Sequence, residues 1–145
     1  MRRFLKIVVG YLAASLVAGF VYSIALALKF SSGVGQGLRL ALAGTVLFGV
    51  YFAFLALLPG IGGIIYAERT GARSVLFYAA GGALAGIVSY GLYALILVAS
   101  AGTAKDFLGG SPLTLLATSI VLLFGGPGLI GGFVYWLIAG RSAGR

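Results

Sequence analysis

Apolar residues run along this chain in four long blocks, and charged residues mark where the blocks stop. The first block extends from Phe4 to Leu28 and is closed by Lys29. The second begins after Arg39 and continues to Ala67, just before Glu68 and Arg69. The third goes from Ser74 to Ser100, and the fourth starts near Pro112 and ends at Gly140, before Arg141. A helix needs about 20 apolar residues to cross the hydrocarbon core, so each block predicts one transmembrane helix, with spans near 4–28, 40–67, 74–100 and 112–140. Pro112 suits a first helical turn, where its missing N–H leaves no bond unmade. Between the spans, Ser31 to Gly37 reads as a flexible turn, and Ala101 to Ser111, with Lys105, Asp106 and Gly109-Gly110, reads as plain connection.

Two glycine-rich stretches interrupt this pattern. Gly125, Gly126, Pro127, Gly128, Gly131 and Gly132 lie inside the fourth block, and Pro59, Gly60, Gly62 and Gly63 lie inside the second. Leu113 to Phe124 is too short to cross, so the fourth helix must pass through Gly125 to Gly128, and by correspondence the second passes through Pro59. Proline removes an intrahelical hydrogen bond and presses on the preceding turn, so both helices should bend. In a membrane such breaks survive only where neighbouring groups or water satisfy the freed carbonyls.

The correspondence extends further. Tyr11 to Val21 aligns without a gap on Tyr78 to Val88, 67 residues later, and Pro59 aligns on Pro127 at an offset of 68. The expected fold class is therefore an all-α membrane protein, a four-transmembrane-helix bundle built from two tandem two-helix repeats. It forms a single transmembrane domain over residues 1–145, with halves near 4–73 and 74–145. The repeat argues against cleavage of the first block as a signal peptide, although Met1 to Lys6 resembles an n-region and Ala25-Leu26-Ala27 a cleavage site. The block also exceeds the usual h-region of about 7–15 residues.

Small residues recur at four-residue spacing: Ser15 and Gly19, Gly63, Ala67 and Gly71, Gly82 and Gly86, and Gly128, Gly132, Gly140 and Gly144, with Trp136 on the same spacing. Helices in lipid gain little from hydrophobic burial against each other, so close backbone approach across such stripes holds them together. The repeat also sets Tyr11, Tyr66, Tyr78 and Tyr135 toward one end of the four helices, with Glu68 beside them. Two readings of this cluster stay open: an aromatic belt at the lipid interface, or hydroxyls turned inward on a cavity. Glu68 likewise reads either as a surface partner of Arg69 or as a carboxylate facing that cavity.

Composition fixes the solvent. Hydrophobic residues make up 61% of the chain and charged ones 8%, against about 25% charged in soluble domains, and mean hydropathy is +1.16. One small core could not hide so many apolar side chains. Histidine and cysteine are absent, which removes imidazole catalysis, disulfides and the usual zinc ligands. No nucleophile–base pair can be assembled, no Lys-Ser/Thr follows the glycines as a phosphate loop requires, and no ionisable residue sits in the interior of a span to mark an ion path. The chain therefore implies no enzyme and no cofactor. The net charge of +8 is scattered at span ends rather than gathered on a helix face, which points to anionic lipid headgroups and not to nucleic acid.

The pattern Leu58-Pro59, Ala67-Glu68, Arg73-Ser74 and Tyr78, closed by Gly131 to Gly144 with Tyr135-Trp136 and Ala139-Gly140-Arg141, resembles a group of small four-span bacterial inner-membrane proteins with no assigned activity. Small multidrug antiporters and fluoride channels fit less well: this first span carries no glutamate, and the chain has no asparagine. Two functional readings follow. One is a non-enzymatic structural or accessory membrane subunit, as a homodimer or within a larger membrane complex. The other is a small dimeric transporter or channel with its site at the Pro59 and Pro127 breaks.

Arg2, Arg3, Lys6, Arg69, Arg73, Arg141 and Arg145 fall on one side of the four spans, and Lys29, Arg39 and Lys105 on the other. Positive residues concentrate in the cytoplasm, so both termini are expected there. A phosphatase reporter fused after Arg145 should be inactive and a cytoplasmic fluorescent reporter bright; the reverse result overturns the orientation.

Overall fold

The computed structural model describes residues 2–30, 33–101 and 121–143, all helix or short connections with no strand among them. Helix α1 is Arg2–Phe30, α2 Val34–Leu55, α3 Leu57–Thr70 and α4 Val75–Ala101. A π-helical turn, Val121–Gly125, then leads into α5, Gly126–Ile138, and a 3-10 turn, Gly140–Ser142, follows. Three helices are long and apolar enough to cross a membrane, over Arg3–Leu28, Val34–Leu55 and Val75–Leu92, and Leu122–Ile138 is a shorter apolar helix. The connection from Ala101 to Ser111, the start expected near Pro112, Gly144 and Arg145 lie largely or wholly outside the described residues.

The helices bury small residues and expose large ones. In α1 the buried stripe is Gly10, Ser15, Ala18, Gly19, Ser23 and Ala27, while Leu5, Val9, Leu12, Leu16, Phe20, Ile24 and Leu28 face outward. In α5 Pro127, Gly131 and Tyr135 are buried, and Leu129, Ile130, Phe133 and Leu137 are exposed. A water-soluble helix would reverse this distribution. Here the outer solvent is hydrocarbon, and the inner stripe is selected for close approach.

α1 runs antiparallel to α2 and to α5, and α5 runs antiparallel to α4, so the neighbours in order are α2, α1, α5 and α4. The contacts are backbone against backbone. A Cβ on Gly19 would strike Gly49 and the Thr45 carbonyl. Between α4 and α5, a Cβ on Gly82 would strike the Gly128 carbonyl, one on Gly86 the Phe124 carbonyl, and one on Gly132 the Tyr78 carbonyl. Gly131 turns to the third partner, with Ala14 O of α1 lying 3.0 Å from the place a Cβ would take. The buried hydroxyls of Ser15, Ser23 and Ser89 are satisfied within their own helices, each donating to the carbonyl four residues back, as membrane helices allow.

Two boundaries differ from the sequence expectation. α2 begins at Val34, not near residue 40, because the Gly37 N–H donates to Gly33 O at 2.9 Å and Gly37 is buried. The turn thus ends at Gly33. The second helix also does not run unbroken through Pro59. It stops at Leu55, passes Ala56 at φ −80° and ψ −2°, and resumes as α3. Pro59 cannot donate to Leu55 O and its ring presses on that turn, so the interruption falls just upstream of the proline. The fourth helix does pass through its glycines: Gly125 is helical, and the π turn widens the helix ahead of Pro127, which sits in the first turn of α5. Gly71, expected in a packing stripe, instead ends α3 in the left-handed conformation at φ 65°, the common use of glycine after a helix.

Gly132→Leu should drive a side chain into the α4 backbone and lower stability in detergent by about 3 kcal/mol, the upper part of the overpacking range. Gly62→Ala, where a Cβ meets nothing within 4 Å, should be neutral or slightly stabilising. Equal melting temperatures for Gly132→Leu and the wild type would place Gly132 against lipid instead.

Candidate functional site

The α2–α3 interruption and the α5 glycines face each other across a central cavity of about 340 Å³. Its walls come from all five helices. Tyr11, Ala14, Ser15 and Ala18 of α1 line one side, and Pro59, Gly60, Gly63 and Ile64 of α3 another. Gly81, Gly82 and Leu84 of α4 and Gly128, Gly131 and Gly132 of α5 complete it. The cavity exists because glycine and alanine withhold the side chains that would fill it. No charged residue is among those lining it.

One end is closed by tyrosines. Tyr78 and Tyr135 lie with ring centroids 5.5 Å apart, both 7% exposed, and Tyr11 packs against the same cluster. The Tyr11 and Tyr78 hydroxyls are directed at backbone. The Tyr11 hydroxyl donates to Ala53 O at 2.6 Å, in the last turn of α2, and so satisfies a carbonyl beside the interruption. The Tyr78 hydroxyl donates to Ala72 O at 3.1 Å, in the connection after α3. Tyr66 departs from the expected cluster: it is exposed and stacks on Phe77 at 5.8 Å. The inward reading thus describes Tyr11, Tyr78 and Tyr135, and the outward one Tyr66.

The other end is closed by an aromatic cluster that the sequence did not reveal. Phe124, carried on the π turn, lies 4.7 Å from Tyr90 and 5.3 Å from Tyr22 by ring centroids. Tyr22 meets Phe48 at 4.8 Å and Phe52 at 5.5 Å, both edge to face. These residues come from α1, α2, α4 and the π turn, so nothing local marked them as one group.

Above the tyrosines sits a polar knot. Arg3 Nη1 donates to Ala139 O at 2.8 Å and to Ser142 Oγ at 2.6 Å, while Nη2 pairs with Glu68 Oε1. Arg3 and Glu68 side chains are 23% and 27% exposed. Glu68 thus pairs with Arg3 of α1, whereas its sequence neighbour Arg69 is exposed. Nearby, Arg73 Nε donates to Ala143 O at 3.1 Å, and Trp136 Nε1 donates to Arg73 O at 2.7 Å. Arg141 lies over the Trp136 ring at 5.3 Å.

The remaining candidates divide. Gly60 faces the Tyr11 ring, 3.1 Å from the place its Cβ would take, whereas Gly62 and Gly126 have nothing within 4 Å. Gly125 and Pro127 are buried in the helix wall. The two sequence-matched stretches thus fold differently: the second packs its glycines on α4 and α1, and the first leaves Gly62 and Gly63 open. No protein-family model, curated protein or solved structure is significantly similar to this chain. The arrangement offers an apolar chamber in which the Tyr11, Ser15 and Tyr78 hydroxyls donate to backbone carbonyls.

Arg3→Ala should cost about 2 kcal/mol in detergent, since it removes charge-assisted bonds to three acceptors. Arg3→Lys should recover little of it, lacking the planar fork. A double-mutant cycle with Glu68→Ala should show coupling of about 1 kcal/mol or more; zero coupling would reject the pair.

Proposed function

We propose that this chain is a bacterial inner-membrane protein with both termini cytoplasmic and a non-enzymatic, structural or accessory role. In this reading it is a four-transmembrane-helix bundle of two tandem repeats, working as a homodimer or within a larger membrane complex. The observation that carries the reading is the wall of the cavity: it is built from apolar side chains and closely packed glycine backbone, and the Tyr11 and Tyr78 hydroxyls are spent on carbonyls. A transported polar solute or ion needs free carbonyls, acids or water along its path. Support for the repeat comes from the stripes Ser15/Gly19 and Gly82/Gly86, which align in sequence and pack α1 on α2 and α4 on α5 respectively, each pair antiparallel. Support for the inner-membrane orientation comes from the gathering of Arg3, Arg69, Arg73 and Arg141 at one end.

The second reading, a small dimeric transporter or channel, draws on the position of the cavity beside the Pro59 interruption. The two readings separate on water. The chain has no cysteine, so Gly63→Cys, Gly81→Cys and Gly131→Cys each report one wall. In membranes, all three should resist a water-soluble maleimide that labels an Arg145→Cys control in opened vesicles. Rapid labelling of the wall positions would favour the transporter and defeat the accessory reading.

A further inference from the structure

The walls of the cavity on α1 and α5 are sealed, with Ser15, Ala18, Gly131 and Tyr135 buried. The side between α3 and α4 is not. There the lining residues Gly63 and Gly81 are exposed, as are Leu84 at 62% and Val88 at 47%. The opening is level with Tyr11 to Ala18 of α1, midway along the apolar span Arg3–Leu28. The outward faces on either side carry Ile61, Ile65, Leu84 and Val88. A gap at that depth meets hydrocarbon, not water.

Charge is gathered at one end of the same gap. Arg69 lies five residues beyond the lining residue Ile64, roughly 7 Å along the helix axis, and Arg73 lies in the short link that joins α3 to α4 across the gap. Arg69 is exposed and makes no hydrogen bond or ion pair among the described residues. Arg73 is exposed too, and its Nε bond to Ala143 O holds it beside the link. Glu68, the only acid among the described residues, is matched by Arg3. The end of the gap is therefore cationic, and its interior is apolar.

We propose that the cavity seats one acyl chain of an anionic phospholipid, which enters sideways between α3 and α4 and sets its phosphate against Arg69 and Arg73. The inference rests on the water-free reading of the cavity. The volume of about 340 Å³ falls at the low end of ligand sites, about 300–1,000 Å³, which suits a single chain and not a whole lipid. Guanidinium binds phosphate oxygens in a planar fork, and a basic residue near an anionic headgroup contributes about fivefold in affinity. Zwitterionic lipid with the same chains would fill the cavity without that gain.

The test is native mass spectrometry of the full chain in detergent, titrated with dioleoylphosphatidylglycerol or dioleoylphosphatidylcholine. One phosphatidylglycerol should bind per chain, about an order of magnitude more tightly than phosphatidylcholine. Arg69→Gln with Arg73→Gln should erase that preference and leave phosphatidylcholine binding unchanged. Gly81→Leu and Gly63→Leu, where a Cβ meets nothing within 4 Å, should plug the opening from opposite walls and abolish binding of both lipids at an unchanged melting temperature. If one plug variant fails to fold, the other decides. Plugged protein that binds phosphatidylglycerol like the wild type would place the lipid on the outer surface. An unaltered preference in the double arginine variant would place its phosphate elsewhere, and either result overturns the proposal. Labelling of Gly63→Cys by the water-soluble maleimide would instead defeat the water-free reading, so the two failures are distinguishable.

Discussion

The meeting of α4 and α5 through bare backbone is the contact from which the other features take their positions. Gly82 and Gly86 on one helix and Gly128 and Gly132 on the other bring carbonyls to where a Cβ would stand. At such separation dispersion between backbones replaces the hydrophobic drive that lipid denies. That approach sets Tyr78 beside Tyr135 at one level and Phe124 beside Tyr90 at another. It also creates the cavity: the glycines that let two helices touch leave space where they turn toward α3. Tight contact and empty volume therefore have the same cause.

The second constraint is the treatment of the interruption in the α2–α3 segment. A break in a membrane helix exposes carbonyls that hydrocarbon cannot satisfy. Tyr11 answers one of them from the neighbouring helix, and the Arg3–Glu68 pair holds the far end of α3 against α1. The half-helix is thus held by side chains from α1 at the break before it and at its far end, while a Cβ added at Gly62 or Gly63 would meet nothing within 4 Å.

Much of this was legible in the sequence, and the division follows range. The stripes Gly82/Gly86, Gly128/Gly132 and Ser15/Gly19 could be read because four-residue spacing repeats on one helical face, and all three are packed. The same spacing also picked out Gly63 and Gly71, which do not pack, because spacing names a face and not its partner. The start of α2 was missed since Gly33, Gly35 and Gly37 read as a turn; only a buried neighbour reveals that Gly37 belongs to the helix. Glu68 reads either as a surface partner of Arg69 or as a carboxylate facing the cavity, and neither reading names Arg3, 65 residues away. The repeat groups Tyr66 with Tyr11, Tyr78 and Tyr135 by level, but level does not say which way a ring faces, and Tyr66 is exposed. Local order was visible, and long-range pairing was not.

Arg3 joins the first helix to the last, reaching Ala139 and Ser142 across 136 and 139 residues. During synthesis this junction cannot form until the final helix has left the ribosome and entered the bilayer. Until then Arg3 depends on Glu68, and Gly10 and Ala14 of α1 face lipid where Tyr135, Ala139 and Gly131 will later pack. A chain on which α5 has not yet docked therefore presents an α1 stripe of small residues to any other helix in the membrane.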